Sequence, residues 1–402
     1  MTDAPLSPQS VIGLHDLVSR PDEDGWIIGR TATGEFVALP DEAKTLIDLL
    51  GAGETIAESK RRADLLHDTE LDVLGFVEDL VELGFVAVVA DRVLEEGPIR
   101  PPSLAWLRPH HLQWVFSRPI AVLVALFIPN GFAIALSRQA LPTYQAFFAL
   151  PEPGMNALIG TALILLVVAV HEFWHLAAAR AAGVDGWFGW GTRLTFLVAQ
   201  TSVPGLWAAD RRVRIRVFLV GMTSDLSITA CCLLGSSYTP TASLVHRLCE
   251  QVSLSVLLMV ATQFAVFMRT DLYLVVQELS GCKNLYADAL DRLRWLARRR
   301  RGDAPAAADP TLALPPGERR PVRIYAVAVA LGSGAALALF CCYQLPIAVE
   351  TVTRAVEELV HGLRHRTPAQ VVDAGLVLGV TALFQGLFIR TFVRKRRSRL
   401  QR

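Results

Sequence analysis

Residues 171–175 read HEFWH, and they close an apolar run that begins TALILLVVAV. In an α-helix, positions i and i+4 share one face about 6 Å apart along the axis, so His171 and His175 can bind one metal ion. Glu172 lies beside them, where it can take a proton from an attacking water. Two imidazoles, one carboxylate and a position left for water are typical of catalytic zinc. The spacing predicts a hydrolytic zinc site.

The apolar surroundings of HEFWH strengthen this interpretation. Histidine and glutamate are costly within a lipid bilayer unless they are paired, and ionisable residues there usually serve a function. The alternative is a polar cluster that only holds helices together. We favour metal binding.

The third ligand should be a carboxylate at a similar depth on another span. Asp271, in FAVFMRTDLY, is the first candidate, because it and His171 both lie near the ends that we assign to the cytoplasm. Asp225, in RVFLVGMTSDLSITA, lies about mid-span and is the competing ligand; otherwise we expect it to line the cavity or bind backbone or substrate. Asp210 lies outside the apolar run. The alternative for Asp271 is an interfacial residue paired with Arg269.

A second pair of histidines at the same spacing, His361 and His365, has Gly362 where the first pair has glutamate. Arg364 and Arg366 flank it, and neighbouring cations disfavour a divalent metal. We predict the solvated or interfacial face of an amphipathic helix on an outer loop, 347–368.

Composition points to a membrane protein. Of 402 residues, 52% are apolar and only 19% are charged, which is too apolar for an ordinary soluble chain. Six apolar runs have about the length of a membrane span: 119–138, 155–179, 213–236, 252–272, 323–345 and 370–390. Lysine and arginine are concentrated in 180–212, 283–301 and 394–402, whereas 139–154 has none. The positive-inside rule then places both termini in the cytoplasm.

The first 95 residues differ from the rest of the chain. They contain 7 Lys and Arg against 20 Asp and Glu, so nucleic acid is an unsuitable partner. The segments GWIIGR and EFVALP predict a hairpin, and FVAVV predicts a closing strand. Helices are expected at 41–50, 56–66 and 70–83, with Thr55 capping the second.

We therefore divide the chain into five parts. These are an acidic domain (1–95), a linker (96–118), a catalytic core of four spans (119–280), a basic cytoplasmic connector (281–322), and two further spans with a basic tail (323–402). Within the connector, 302–317 is rich in Ala, Pro and Asp and is predicted to be flexible.

The motifs together resemble a known family. HEFWH in a span, RIRVFLVGMTSDL on the next and RTDLYLVVQELSGCKNLYADAL further on are similar to the site-2 protease class of intramembrane zinc metalloproteases. The closer similarity is to the peptide zinc metalloprotease branch, whose membrane part follows a PqqD-like domain. It covers roughly residues 12–92 and 155–290. It implies a mainly α-helical polytopic membrane protein, with a site-2-protease-like core and a small N-terminal α+β domain of winged-helix type.

The resemblance also implies residue roles. His171, His175 and Asp271 match the ligands of one zinc ion, and Glu172 matches the catalytic glutamate. The chain departs from the family twice: Leu272 stands where glycine usually follows the aspartate, and the Gly-Pro-x-x-Asn pattern reads GMTSD, residues 221–225. Gly221 and Asp225 are accordingly expected at the active-site cavity.

The resemblance suggests how substrate is recruited. Domains like the N-terminal one capture leader segments of ribosomally made peptides as an added strand, here between the strand at 35–39 and the helix at 70–83. Regulation or dimerisation is the alternative role. We expect a peptidase of the bacterial inner membrane that matures such a peptide. Alternatives are cleavage of a membrane-anchored regulator, and a non-enzymatic exporter or immunity protein with a structural metal.

Overall fold

The computed structural model describes residues 6–22, 25–90, 92–94, 101–193, 196–302 and 309–400. Within them the chain is mainly helical and forms two compact units. The front unit contains residues up to 113 together with 176–188 and 201–214, and the membrane unit contains 114–175, 189–200 and the chain from 215 onwards. The front unit thus includes two segments that lie well beyond the predicted domain 1–95.

The front unit begins with short strands and three helices. In chain order they are β1 (Ile12–Leu14), β2 (Val18–Asp22), β3 (Gly25–Arg30), β4 (Glu35–Leu39), α1 (Asp41–Gly51), α2 (Ile56–His67), α3 (Val73–Glu82), β5 (Val86–Val89) and β6 (Arg92–Val93). Two antiparallel sheets have the orders β2-β3-β4 and β1-β5-β6. The predicted hairpin, helices and closing strand are confirmed. The strands β1, β2 and β6 were not predicted, because all three are short and β2 and β6 contain polar residues.

The core of this unit follows from helical periodicity. Val73, Val77 and Leu80 recur at spacings of four and three on α3, and all three are buried against Ile28 and Phe85. Thr55 caps α2 as predicted, because its hydroxyl accepts the backbone N–H of Glu58 at 3.2 Å.

A later segment of the chain packs on the β2-β3-β4 sheet. It is the 3₁₀ turn Pro204–Ala208, which contacts all three strands. Arg20 on β2 donates a hydrogen bond to the carbonyl oxygen of Ala209 at 2.8 Å. β4 lies at the edge of its sheet, and within the described residues it pairs with β3 alone.

The rest of the chain is built from longer helices. In chain order the elements are α4 (Arg118–Ser137), α5 (Pro153–Ala181), β7 (Trp187–Arg193), β8 (Phe196–Ser202), α6 (Arg211–Tyr238), α7 (Leu244–Gln263), α8 (Asp271–Ser280), α9 (Leu285–Arg300), α10 (Pro316–Leu339), α11 (Leu345–His365) and α12 (Pro368–Leu400). Among the described residues, six helices are long and apolar enough to cross a membrane: α4, α5, α6, α7, α10 and α12. The chain is a multi-pass membrane protein, as predicted.

The predicted fourth span, 252–272, is wrong at its end. Helix α7 stops at Gln263, a 3₁₀ turn follows at Val266–Met268, and Asp271 opens a separate helix, α8. Arg269 ends the 3₁₀ turn and separates it from α8, since its φ of 57° is left-handed and cannot continue a helix. The residues FAVFM are apolar, so their hydropathy is the same as that of a continuing span. Hydropathy gives no information about backbone conformation, and the turn was therefore missed.

Two predicted loops also contain structure. The outer loop 347–368 is mostly the helix α11, which contains the amphipathic helix predicted at His361 and His365 and begins well before it. The connector 281–322 contains the helix α9 and the start of α10. Within the flexible segment predicted at 302–317, residues 303–308 lie outside the described residues. The strand pair β7–β8 was not predicted.

Candidate metal centre

Two helices bring three ligand atoms together in the membrane unit. His171 and His175 lie one turn apart on α5, and their Nε2 atoms are 3.1 Å from each other. Asp271, the first residue of α8, places its Oδ2 3.1 Å from Nε2 of His171 and 3.3 Å from Nε2 of His175. Both histidines are buried, and the Asp271 side chain is 18% exposed. The two helical neighbours and the distant aspartate thus form a nearly equilateral triangle.

The other nitrogen of each ring is already hydrogen-bonded. Nδ1 of His175 lies 2.7 Å from the carbonyl oxygen of Val217, and Nδ1 of His171 lies 2.8 Å from Oδ2 of Asp225. A carbonyl oxygen only accepts, so His175 donates its Nδ1–H there. The neutral ring then has a free lone pair at Nε2. The Asp225 carboxylate favours the same tautomer of His171.

This arrangement fits a zinc ion. Zinc binds imidazole nitrogen and carboxylate oxygen at about 2.0–2.2 Å in tetrahedral sites, which separates neighbouring ligand atoms by about 3.3–3.6 Å. The triangle has sides of 3.1–3.3 Å. Two lone pairs and a carboxylate oxygen repel one another at such distances unless a cation or proton lies between them. Among the described residues, this is the single group of three or more His, Cys, Asp or Glu whose ligand atoms all lie within 4.8 Å.

Gly221 permits helix α6 to approach the triangle. A Cβ atom at this position would lie within 2.6 Å of ring atoms of both His171 and His175. Real Cβ atoms do not approach other atoms so closely, so any side chain here would displace the rings. The expected position of Gly221 at the site therefore has a steric reason.

Asp225 contacts the site from behind His171 rather than as a member of the triangle. It is fully buried on α6, and its Oδ2 binds the Nδ1 atom that points away from Asp271. Of the two carboxylates that competed as third ligand in the sequence, Asp271 is the one beside both Nε2 atoms. Asp225 orients His171 instead of lining open space, because the helical phase of α6 turns its side chain into the protein.

Gln263 is the residue that sequence reasoning missed. Its Oε1 accepts the backbone N–H of Asp271 at 3.1 Å, and its Nε2 donates to Oδ2 of Asp271 at 3.3 Å. The carbonyl oxygen of Gln263 also accepts the hydroxyl of Thr270 at 2.6 Å. In the sequence Gln263 is an amide residue at the end of an apolar run. That position alone does not show which residue the side chain contacts.

The structure also gives the positions of the other candidate residues. Glu172 is buried on α5 directly after His171. Arg269 lies 5.1 Å above the ring of Tyr286, so the contacts of Asp271 are with histidine and glutamine rather than with this cation. His361 and His365 are exposed on α11, consistent with the predicted solvated helix face.

Comparison of the chain with protein-family models, with curated proteins and with solved structures finds no match. The functional assignment therefore depends on the HEFWH motif and on the geometry of the triangle. The resemblance to site-2 proteases stays a prediction from the motifs.

Proposed function

We propose that this protein is a membrane-embedded zinc metallopeptidase. His171, His175 and Asp271 hold one zinc ion, and Glu172 is the general base. The observation that carries the proposal is the triangle of three ligand atoms whose histidines already have their Nδ1 protons engaged. A short motif can occur in a sequence by chance. A chance motif gives no reason for a carboxylate 96 positions after His175 to lie beside both imidazoles.

The residues divide the chemistry between them. A bound zinc ion would polarise the scissile carbonyl and lower the pKa of water towards about 7. The Glu172 carboxylate accepts the proton of the attacking water as the water oxygen bonds to the carbonyl carbon. It then gives that proton to the amide nitrogen, which leaves as an amine when the C–N bond breaks. Asp225 and the Val217 carbonyl keep both histidines in the binding tautomer.

The apolar spans serve this reaction by limiting water. His171, Glu172 and His175 are each no more than 8% exposed. Electrostatic interactions in such an environment are stronger than in water. A peptide bond that reaches the triangle therefore meets a small number of fixed polar groups.

The front unit is the proposed recruitment domain. It presents β4 as an edge strand, which suits capture of an extended peptide by strand addition. Its net negative charge favours a basic or neutral segment. The substrate class that we propose is a ribosomally made peptide, cleaved at a bacterial inner membrane with both termini of this chain in the cytoplasm.

Metal analysis of the purified protein in detergent tests the site. We expect about one zinc per chain in the wild type, and loss of zinc in the double variant His171→Ala/His175→Ala. The matched control is His361→Ala/His365→Ala, which removes two histidines at the same spacing from an exposed helix face. Equal zinc in the two double variants would overturn the ligand assignment.

A second measurement tests catalysis. Glu172→Gln should retain zinc and lose cleavage of a quenched fluorescent peptide made of a basic segment and about 20 apolar residues. The amide cannot accept the proton of water. Full turnover by this variant would exclude Glu172 as the base. Zinc binding without turnover by the wild type on such peptides would favour the non-enzymatic alternative.

A further inference from the structure

A groove runs along the membrane unit on the surface shared by α5 and α7. Its volume is about 530 Å³. Apolar side chains such as Leu258 and Ile164 form part of its wall. Polar side chains also recur along it: Asn156, Thr161, Gln251, Ser255 and Thr262. Both helices are long and apolar enough to cross a membrane, so these polar groups lie along lipid-spanning elements.

Gln251 has an unsatisfied acceptor in this groove. Its Nε2 donates to the carbonyl oxygen of Phe147 at 3.1 Å and to Oδ1 of Asn156 at 3.2 Å. Its Oε1 is buried and has no hydrogen-bond partner among the described residues, and the residue is only 5% exposed. A buried amide oxygen at membrane depth needs an N–H or O–H donor, because hydrocarbon offers none.

The helices that line the groove both lead to residues of the metal centre. On α7, Gln251, Ser255, Leu258 and Thr262 recur at spacings of four, three and four, which keeps them on one helical face. The next residue is Gln263, which holds Asp271. On α5, Ile164 lines the groove and His171 follows seven positions later, on the same face. The residues that line the groove therefore lead along α5 to His171 and along α7 to Gln263, which contacts Asp271 of the triangle.

The dimensions suit a short extended chain. Thr262 lies eleven positions after Gln251 on α7, which is about 16 Å along the helix axis. An extended peptide covers that distance with about five residues. Gly160 leaves space at the bottom of the groove, since a Cβ atom there would come within 3.0 Å of Nε2 of Gln251.

We propose that this groove binds an extended segment of the peptide substrate and directs the adjoining residues to the metal centre. Gln251 Oε1 accepts a backbone N–H of that segment, and the hydroxyl-bearing side chains along the groove solvate further backbone groups. An α-helical segment would not serve, because its N–H groups are already bonded within the helix. The inference rests on the proposed peptidase function, and it adds where and in what conformation the substrate binds.

Site-specific photocrosslinking tests the location directly. Benzophenone-alanine replaces Leu258, in the groove, or Leu166, an exposed leucine of α5 outside it, in the uncleaving Glu172→Gln chain. The probe is the quenched peptide described above, added to the full-length protein in nanodiscs. We expect a crosslink from position 258 that excess unlabelled peptide suppresses, and little from position 166.

Kinetics of the cleaving enzyme provide an independent measurement. Gln251→Leu removes the acceptor and should raise KM for the probe about tenfold, the effect of one lost hydrogen bond. Ser255→Phe fills the groove and should raise KM by excluding the peptide. The maximal rate and the zinc content should change less than twofold. Leu166→Phe is the matched control for added volume, and it should leave KM unchanged.

The outcomes separate this inference from the proposed function. Zinc binding and cleavage with no crosslink at position 258, and with unchanged KM in Ser255→Phe, would overturn the groove while the peptidase stands. A crosslink at position 258 to lipid alone, identified by mass, would also overturn it and assign the groove to an acyl chain. Absence of zinc and of cleavage, with a competed peptide crosslink at 258, would refute the peptidase and keep the groove as a peptide site.

Discussion

Gln263 and Asp271 exchange two hydrogen bonds across the turn that separates α7 from α8. The backbone N–H of Asp271 donates to Oε1 of Gln263, and Nε2 of Gln263 donates to Oδ2 of Asp271, at 3.1 and 3.3 Å. The same Oδ2 atom lies beside both histidines. The glutamine thus caps the first turn of α8 and fixes the one atom of the triangle that comes from a distant part of the chain.

Gln263→Leu should weaken zinc binding by about 10- to 100-fold, the usual effect of removing a residue that orients a metal ligand. Leucine keeps most of the volume but leaves the Asp271 carboxylate free to rotate. Competition with a chelating dye measures the affinity. Gln145→Leu, an exposed glutamine in a turn, is the control. Equal affinities for the two variants would remove the orienting role.

The two carboxylates should respond differently to substitution. Asp271→Ala removes a ligand and should abolish tight zinc binding, whereas Asp225→Asn keeps a hydrogen-bond acceptor for His171 and should weaken it by about 10- to 100-fold. Zinc content after dialysis distinguishes the two. If Asp225→Ala lost its zinc and Asp271→Ala retained it, the ligand set would be His171, His175 and Asp225.

Gly221→Ala should prevent metal binding although it adds only one methyl group. That methyl would overlap the rings of His171 and His175, and α6 cannot withdraw without breaking its other contacts. Gly379→Ala on α12 is the matched control, because its Cβ would meet nothing within 4 Å. We expect zinc loss in the first variant and full occupancy in the second. Full occupancy in both would refute the close approach of α6.

A second polar cluster joins α9 to α10 and gives a pH-dependent contribution to stability. Burial by itself raises the pKa of Asp309, but hydrogen bonds from the Thr311 amide and hydroxyl, together with Arg292 and Arg323, outweigh burial and hold the pKa below its usual range. A carboxyl group with a lowered folded-state pKa stabilises the fold above its unfolded pKa of about 3.9 and loses this contribution as pH falls further.

Asp309→Asn should accordingly lower the thermal midpoint at pH 7, and the difference from the wild type should shrink as pH falls below about 4. Unfolding of both proteins in the same detergent, followed across pH 3–7, measures this difference. Asp291→Asn is the control, since Asp291 is exposed and its ion pair among the described residues is with Arg294 on its own helix. A difference that grew towards low pH would contradict the sign of the shift.

The acidic surface of α3 should matter for recruitment of a basic peptide. Glu78 and Glu82 are exposed one turn apart. Replacing both by glutamine should raise KM for the probe with a basic segment and leave the maximal rate unchanged, because the front unit raises the local peptide concentration without joining the reaction. The same change at Glu357 and Glu358 of α11 is the control. Equal KM values would leave the front unit without this role.

The local features of this protein could be predicted from its sequence alone. Periodicity and turn residues defined the hairpin β3–β4, the helices α1 to α3 and the cap at Thr55, because each depends on contacts between near neighbours. Six spans followed from hydropathy over about 20 residues. The pair of His171 and His175 followed in the same way, since the helical repeat fixes their separation.

Features that join distant residues were decided by the tertiary structure. The sequence left Asp225 and Asp271 as competing ligands, and only the packing of α6 and α8 against α5 placed one behind His171 and the other beside both Nε2 atoms. The start of α8 depends on the left-handed backbone of Arg269 and on the side chain of Gln263, neither of which hydropathy detects. A cluster assembled from residues 100 positions apart is fixed by how helices pack, and packing depends on the whole chain.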